Sequence, residues 1–534
     1  MTLTSPGILR RPRDAAEPAV AGPSWRQWAP RAARLAAALA GLAAIGAYLF
    51  VAVSRLDYPF ALEYLEGNSL VEVHRILAGQ PLYPAPTAGY VPDGYPPLYF
   101  FVSAAVARVF GVSYLTLRLV SLVSSLACFA LLARLVQRET GSLAAGTGAA
   151  GAFAATYFVT GAWFDIGRVD SLFLALSVGA LYAARHMRGT RGAVAAGVLF
   201  AAAALTKQTG LAEMAAVTAA LLTGPRRRLA CVTAVTEVAL VGVAAVVLRF
   251  TSGGWYTYYT LKQMSEHSLT YGNFGWFWTA LLTATGLAAG AALIGARRVP
   301  RELLAACAAL AVEGYATLVH SGGSINDMLP AYLAVALLAG LALGSGTALG
   351  GGPGRWRVTT VAGVLVLAQS VFLLASSHQS QAIPSSAARA AGERLIAGMR
   401  AFGGDVAVAD DPGLSLRAGM APAATPGAVF DVVRATDKAG IESYRHSARE
   451  AVKDRQFSAI IASSSGHPLY NPPDLVQDYQ ECVQPLPAGP GTLLVPVSDS
   501  EGSRLRPAVV WIPWGSGSCQ DAISILNGGK AVGS

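Results

Sequence analysis

Residues able to move protons or hold an oxyanion recur in this chain at one kind of place, where a long apolar run ends. Glu63 and Glu66 follow the first such run; Asp165, Arg168 and Asp170 follow the third; Lys207 interrupts the chain after the fifth. His267 lies in the loop between Trp255 and Trp278, and His320 with Asn326 follows the ninth run. Carboxylates can act as general bases, and cations can hold phosphate oxygens through charge-assisted hydrogen bonds. Ionisable groups at membrane depth are costly, so their recurrence marks them as functional candidates, and the mixture suits a phosphate-bearing lipid and a sugar. Each also has an ordinary alternative. Arg168 and Asp170 are placed to be a helix cap and a surface charge. Lys207 is placed to snorkel to the interface. The histidines could simply line a loop, and Trp255, Tyr256, Tyr258, Tyr259, Trp276 and Trp278 could form an interfacial belt.

The elements that must position these residues are membrane helices. Of the 534 residues, 53% are hydrophobic and 13% charged, against about 25% charged in soluble domains. Taking roughly 20 apolar residues as one crossing, helices are expected at 35–53, 114–133, 142–164, 169–184, 192–206, 209–223, 229–249, 275–296, 302–319, 328–344 and 358–376. From a cytoplasmic N-terminus, alternation puts the Arg134/Arg138, Arg185/Arg188/Arg191, Arg226/Arg227/Arg228, Arg297/Arg298/Arg301 and Arg355/Arg357 clusters inside, as the distribution of basic loops requires. That count holds if the short segment from Pro97 to Gly111, which follows Pro96, lies at the interface or re-enters instead of crossing. The first external loop then runs over 55–113 and carries Asp57, Glu63, Glu66, Glu72 and Asp93.

The net charge of +9 sits in these short arginine clusters, which excludes a basic nucleic-acid surface. The residues before the first helix, 1–34, read as a cytoplasmic tail and not as a secretory signal, because no small-residue cleavage site follows the apolar run before Arg55. Beyond Ser376 the composition turns soluble: β-like runs at 406–409, 459–462 and 492–497 alternate with helical runs at 387–400 and 443–457, so 377–534 reads as a small α/β domain. The count of eleven helices places that domain outside the cytoplasm, where Cys482 and Cys519 could pair; Gly344 to Gly354 reads as a cytoplasmic loop. Cys128, Cys231 and Cys307 fall in apolar helices and read as packing residues.

Three groups of residues carry a resemblance. Glu66-Gly67-Asn68 is followed by Leu77-Ala78-Gly79-Gln80-Pro81-Leu82-Tyr83 and by Tyr95-Pro96-Pro97-Leu98-Tyr99; Gly167-Arg168-Val169-Asp170 and Leu205-Thr206-Lys207-Gln208-Thr209-Gly210 come next; His320-Ser321-Gly322-Gly323-Ser324-Ile325-Asn326 precedes a late apolar helix. In this order they resemble the C-type membrane glycosyltransferases, the superfamily of protein O-mannosyltransferases and lipid A aminoarabinose transferases. The resemblance implies a polyprenyl-monophosphate-linked sugar donor, inversion at the anomeric carbon, and a first-loop acid that deprotonates a hydroxyl on a glycan, lipid or protein acceptor. Glu66 aligns best with that acid. Leu65 stands where the family more often has Asp beside Glu, which keeps Glu63 as a rival. Asp170 is implied to support the acceptor or orient a cation, Lys207 and Arg168 to neutralise donor phosphate, and Tyr95, His267, His320 and Asn326 to line the substrate site. No metal ligand set stands out, and a divalent cation is left open. The competing readings are a polytopic transporter or lipid flippase, whose path the charged residues would line, and a non-catalytic scaffold.

Overall fold

The computed structural model describes residues 25–295, 299–345, 355–463, 475–483 and 507–529. The tail before Trp25, the Arg297/Arg298 pair, most of the 344–354 loop and the expected 492–497 run lie outside the described residues.

Apolar helices form at each of the expected positions: Trp25–Arg55, Tyr114–Thr140, Leu143–Ala154 with its 3₁₀ continuation Ala155–Thr160, Asp170–His186, Gly189–Thr206, Gly210–Leu222, Arg227–Thr251, Gly272–Gly295, Arg301–Val319, Leu329–Gly344 led in by Ile325–Met328, and Arg355–Ala375. Among the described residues nine of these are long and apolar enough to cross a membrane. Asp170–His186 and Gly210–Leu222, with 17 and 13 residues, are shorter. At 1.5 Å per residue the second reaches about 20 Å, less than a hydrocarbon core of roughly 30 Å. Lys207 explains the break before it, because a charge at that point ends one helix and lets the next begin three residues later. The Leu98–Phe110 helix has 13 residues and stops at Gly111, whose φ of +81° is open to glycine.

Without a strong hydrophobic drive between helices in lipid, close backbone approach does the packing. Gly41 and Gly151 meet where Trp25–Arg55 crosses Leu143–Ala154, and a side chain at either would collide with the other helix. Two buried ion pairs brace the helix ends nearest the C-terminal domain. Arg55 donates to both carboxylate oxygens of Asp165 at 2.8 and 2.7 Å, and Tyr157 donates to the same group at 2.7 Å. Arg118 does the same for Glu66.

The C-terminal domain is a four-stranded sheet in the order β1 (Val406–Val408), β2 (Ala459–Ala462), β4 (Val509–Pro513), β3 (Tyr479–Val483). β1 and β2 are parallel, with Val406 opposite Ala459, and the other pairs are antiparallel. Helices Ser386–Phe402, Pro412–Ala418, Pro426–Arg434, Lys438–Lys453 and Cys519–Leu526 accompany it. The parallel pair β1–β2 is joined through helices, as parallel pairing requires. Cys482 and Cys519 are disulfide-bonded. The domain is seated on the loops and helix ends at one end of the helical bundle by polar contacts. Asp411 accepts from the Tyr114 hydroxyl at 2.5 Å, Ala424 N–H donates to the Ala88 carbonyl at 2.7 Å, and Glu266 accepts from the N–H groups of Thr436 and Asp437 at 3.0 Å.

Candidate active site

The first loop folds Glu63 and Glu66 into buried but opposite circumstances. Glu66 opens the helix Glu66–Leu77, and its two carboxylate oxygens accept four hydrogen bonds: Arg118 Nε at 2.8 Å, Arg118 Nη2 at 2.7 Å, Gly167 N–H at 2.7 Å and Leu62 N–H at 2.7 Å. The side chain has no accessible surface. Glu63 accepts from Leu65 N–H at 3.1 Å through Oε2, while its buried Oε1 has no hydrogen-bond partner among the described residues. Burial pushes the Glu63 carboxyl up to about 7, and the Arg168 guanidinium pulls back only part of that shift.

Arg168 sits between acids. Its Nη1 lies 3.7 Å from Glu63 Oε2 and 3.9 Å from Asp93 Oδ2, and Nη2 donates to the Tyr95 hydroxyl at 3.2 Å. Nε and Nη1 make no hydrogen bond among the described residues. Its loop is held under strain. Ala162 has a φ of +58°, costly for a residue with a Cβ, and its carbonyl accepts from Arg55 Nη2 at 2.5 Å.

Lys207 is buried, with its ammonium 3.0 Å from Asp170 Oδ1 and 3.5 Å from Asp327 Oδ1. Asp170 also accepts from Trp163 Nε1 at 3.1 Å, so it holds Lys207 in place from the first turn of its helix. Two adjoining cavities are formed around these residues. The larger, about 320 Å³, is lined by Lys207, Gln208, Thr209, His320, Gly322 and Gly323, with a largely apolar remainder. The smaller, about 120 Å³, is lined by Glu63, Trp163, Arg168, Asn326, Phe430 and Arg434. Leu65, Tyr95, Asp327 and Asp431 face both.

The structure therefore gathers Glu63, Tyr95, Arg168, Lys207, His320 and Asn326 around one double cavity. Glu66 and Asp170 stand behind it as supports, and His267 lines neither chamber. His267 Nε2 meets the Asp431 carbonyl at 2.7 Å, His320 Nε2 meets the Met264 carbonyl at 2.8 Å, and the two rings lie 4.8 Å apart. Burial lowers the His267 pKa and favours its neutral form. Among the described residues no three His, Cys, Asp or Glu side chains converge as a metal-ligand set.

Sequence reasoning missed Asp327, which caps Ile325–Met328 through Ser324 N–H at 3.0 Å while reaching Lys207. It also missed Glu213 and Glu313, buried acids inside apolar helices, the second accepting from Thr209 Oγ1 at 2.6 Å. Their isolation in apolar runs was the available signal. Asp431 and Arg434 carried no signal, because only folding brings the C-terminal domain to this site.

Residues 94–252 match the family model described as dolichyl-phosphate-mannose-protein mannosyltransferase. A search of curated proteins returned no match. Among solved structures, ArnT from Cupriavidus metallidurans bound to undecaprenyl phosphate superposes with a TM-score of 0.57 at 14% identity, covering 89% of this chain and 98% of that one. The same protein in its apo state gives 0.56 at 13% identity, over 88% and 97%. An oligosaccharyltransferase from Archaeoglobus fulgidus overlaps at 0.47 with 12% identity over 78% and 69%, too loosely to argue from. The family match thus covers part of the membrane region, and the likeness to ArnT shows a shared fold along nearly the whole chain.

Proposed function

We propose that the chain transfers a sugar from a polyprenyl-phosphate-linked donor to an acceptor hydroxyl on the extracytoplasmic face, with inversion, and that Glu63 is the general base. The observation that carries this reading is the contrast between the two first-loop acids: Glu66 accepts four hydrogen bonds, while Glu63 presents a buried oxygen that has no partner among the described residues, beside Arg168. A base needs a free oxygen facing the acceptor site and a pKa near the working pH; Glu63 lines the smaller chamber, and burial raises its carboxyl to about 7.

In this reading the sugar phosphate lies in the larger chamber, with the prenyl chain toward its apolar wall. Lys207, Thr209 at the start of the Gly210–Leu222 helix and the Gly322–Gly323 turn face the phosphate, and the helix N-terminus adds a favourable dipole. Glu63 Oε1 takes the acceptor proton as that oxygen attacks the anomeric carbon on the side away from phosphate. The bond from the anomeric carbon to the phosphate oxygen breaks, its electron pair leaves with the phosphate, and the charge gained there is stabilised by Lys207. Asp170 and Asp327 keep the ammonium in position, and Arg168 orients Glu63 and the acceptor.

The extracytoplasmic placement of 377–534 belongs to the same proposal; the disulfide within that domain is the support for it. A transporter reading needs charges along a path, whereas Asp170, Lys207 and Asp327 all stand at helix ends around one site. The test is Glu63→Gln in purified protein: transfer from a polyprenyl-phosphate sugar should vanish while binding of polyprenyl monophosphate persists. Normal turnover in that variant would remove Glu63 from the role.

A further inference from the structure

The smaller chamber is not closed by the membrane domain. Its outer wall is the helix Pro426–Arg434, which contributes Phe430, Asp431 and Arg434. Two glycines admit this helix. A Cβ on Gly427 would stand 2.6 Å from Leu65 Cδ2 and 2.8 Å from Tyr64 Cε2, directly beside Glu63, so a side chain there would make Leu65 and Tyr64 shift. On the opposite side Gly322, with a φ of +96°, lies against Arg434, and a Cβ would collide with its guanidinium. His267 ties the same helix down through the Asp431 carbonyl at 2.7 Å. So close a fit beside the proposed base makes the helix a wall of the site.

The chemistry of the chamber narrows what it takes. Its charges alternate: Arg168 lies 3.7 Å from Glu63, and Arg434 lies 3.9 Å from Asp431 and stacks 3.4 Å from the Phe430 ring. Because each guanidinium already faces a carboxylate, a phosphate or other strongly charged group finds no surplus of opposite charge. The aromatic rings of Trp163, Tyr95 and Phe430 and the Asn326 amide complete the lining. Aromatic faces cover C–H surfaces, while alternating acids, guanidinium and amide groups pair with neighbouring hydroxyls that both donate and accept. At about 120 Å³ the space suits one ring, not an extended peptide.

We propose that this chamber, closed by Pro426–Arg434, is the acceptor subsite and that it recognises a sugar ring, so that the acceptor hydroxyl belongs to a glycan. The inference rests on the glycosyltransferase reading above and names its acceptor class. Phe430, Asp431 and Arg434 hold that ring so that one hydroxyl meets Glu63 Oε1.

The full chain in detergent is titrated with methyl hexopyranosides and methyl pentofuranosides, with a serine- and threonine-containing peptide, and separately with undecaprenyl monophosphate, following tryptophan fluorescence. At least one glycoside is expected to bind saturably, with its Kd raised tenfold or more in Phe430→Ala and in Arg434→Gln; both line only the smaller chamber, so undecaprenyl monophosphate affinity should stay within twofold. Lys207→Ala should give the reverse pattern. Retained undecaprenyl monophosphate binding and an unchanged melting temperature in the two variants separate loss of contact from misfolding. Saturable binding of the peptide with none of the glycosides, or glycoside binding indifferent to both variants, would overturn the acceptor assignment and leave the lipid-donor reading standing. Failure of undecaprenyl monophosphate to bind, with glycoside binding intact, would overturn the donor reading instead.

Discussion

Arg118 grips Glu66 through the Nε and Nη2 edge of its guanidinium, at 2.8 and 2.7 Å, with neither side chain exposed to solvent. The same carboxylate accepts from Gly167 N–H, next to Arg168. The acid that aligns best with the family signature thus links the first loop to the loop carrying the site arginine, and its neighbour three residues earlier is the one that faces the chamber.

Glu66→Gln is therefore expected to act first on stability. Removing one partner of a buried, hydrogen-bonded pair leaves Arg118 uncompensated, a cost of about 3 to 5 kcal/mol. The check is the melting temperature of the detergent-solubilised variant, alone and with Arg118→Met. A marked drop in the single variant that the double variant partly recovers is the expected result; a melting temperature equal to the parent's would return Glu66 to candidacy as the base.

The pH dependence of transfer follows from Glu63. Its carboxyl is raised by burial to about 7, and a base acts only when deprotonated, so the rate should rise with pH and level off above that value. Below it, kcat should fall about tenfold per pH unit. A turnover profile flat between pH 5 and 8 would be incompatible with Glu63 in this role.

Lys207→Ala should weaken donor binding and lower kcat by roughly 10² to 10³, the size of effect seen when one group stabilising a developing oxyanion is lost. The same change leaves Asp170 and Asp327 facing each other without their shared cation. Lys207→Arg, which keeps the charge, is the control: recovery of donor binding there would attribute the loss to charge and not to collapse of the pair.

The Cys482–Cys519 bond closes a separation of 37 residues. Cys519→Ser should destabilise the C-terminal domain by about 3 to 4 kcal/mol in the chain-entropy account. In cells, a membrane-impermeant maleimide should label these positions only after reduction. Labelling without reductant would mean free thiols, and no labelling of intact cells after reduction would place the domain on the cytoplasmic side.

Much of the architecture was legible in the chain because a bilayer imposes a length on apolar runs, and charges such as Lys207 cost least where a run stops. The eleven apolar helices, the short Leu98–Phe110 segment and the cluster of Tyr95, Arg168, Lys207, His320 and Asn326 at helix ends follow from that constraint. Helix ends were less legible: the run expected at 443–457 is the helix Lys438–Lys453, started by an Asp437 cap. The strands Tyr479–Val483 and Val509–Pro513 went unread because they pair with each other and with β2 across long separations.

What only the tertiary structure decided is which acid is free. Glu63 and Glu66 are the same residue type in the same loop, and nothing local distinguishes them. The difference is made by Arg118, 52 residues after Glu66, and by the Gly167 N–H, 101 residues after it, which occupy one carboxylate and leave the other. The closing wall is a still longer-range matter, since Asp431 and Arg434 reach the chamber only because Gly427 and Gly322 let a distant helix approach the first loop. Spacing along a chain encodes depth in a membrane; it does not encode which partner arrives from hundreds of residues away to engage a lone pair.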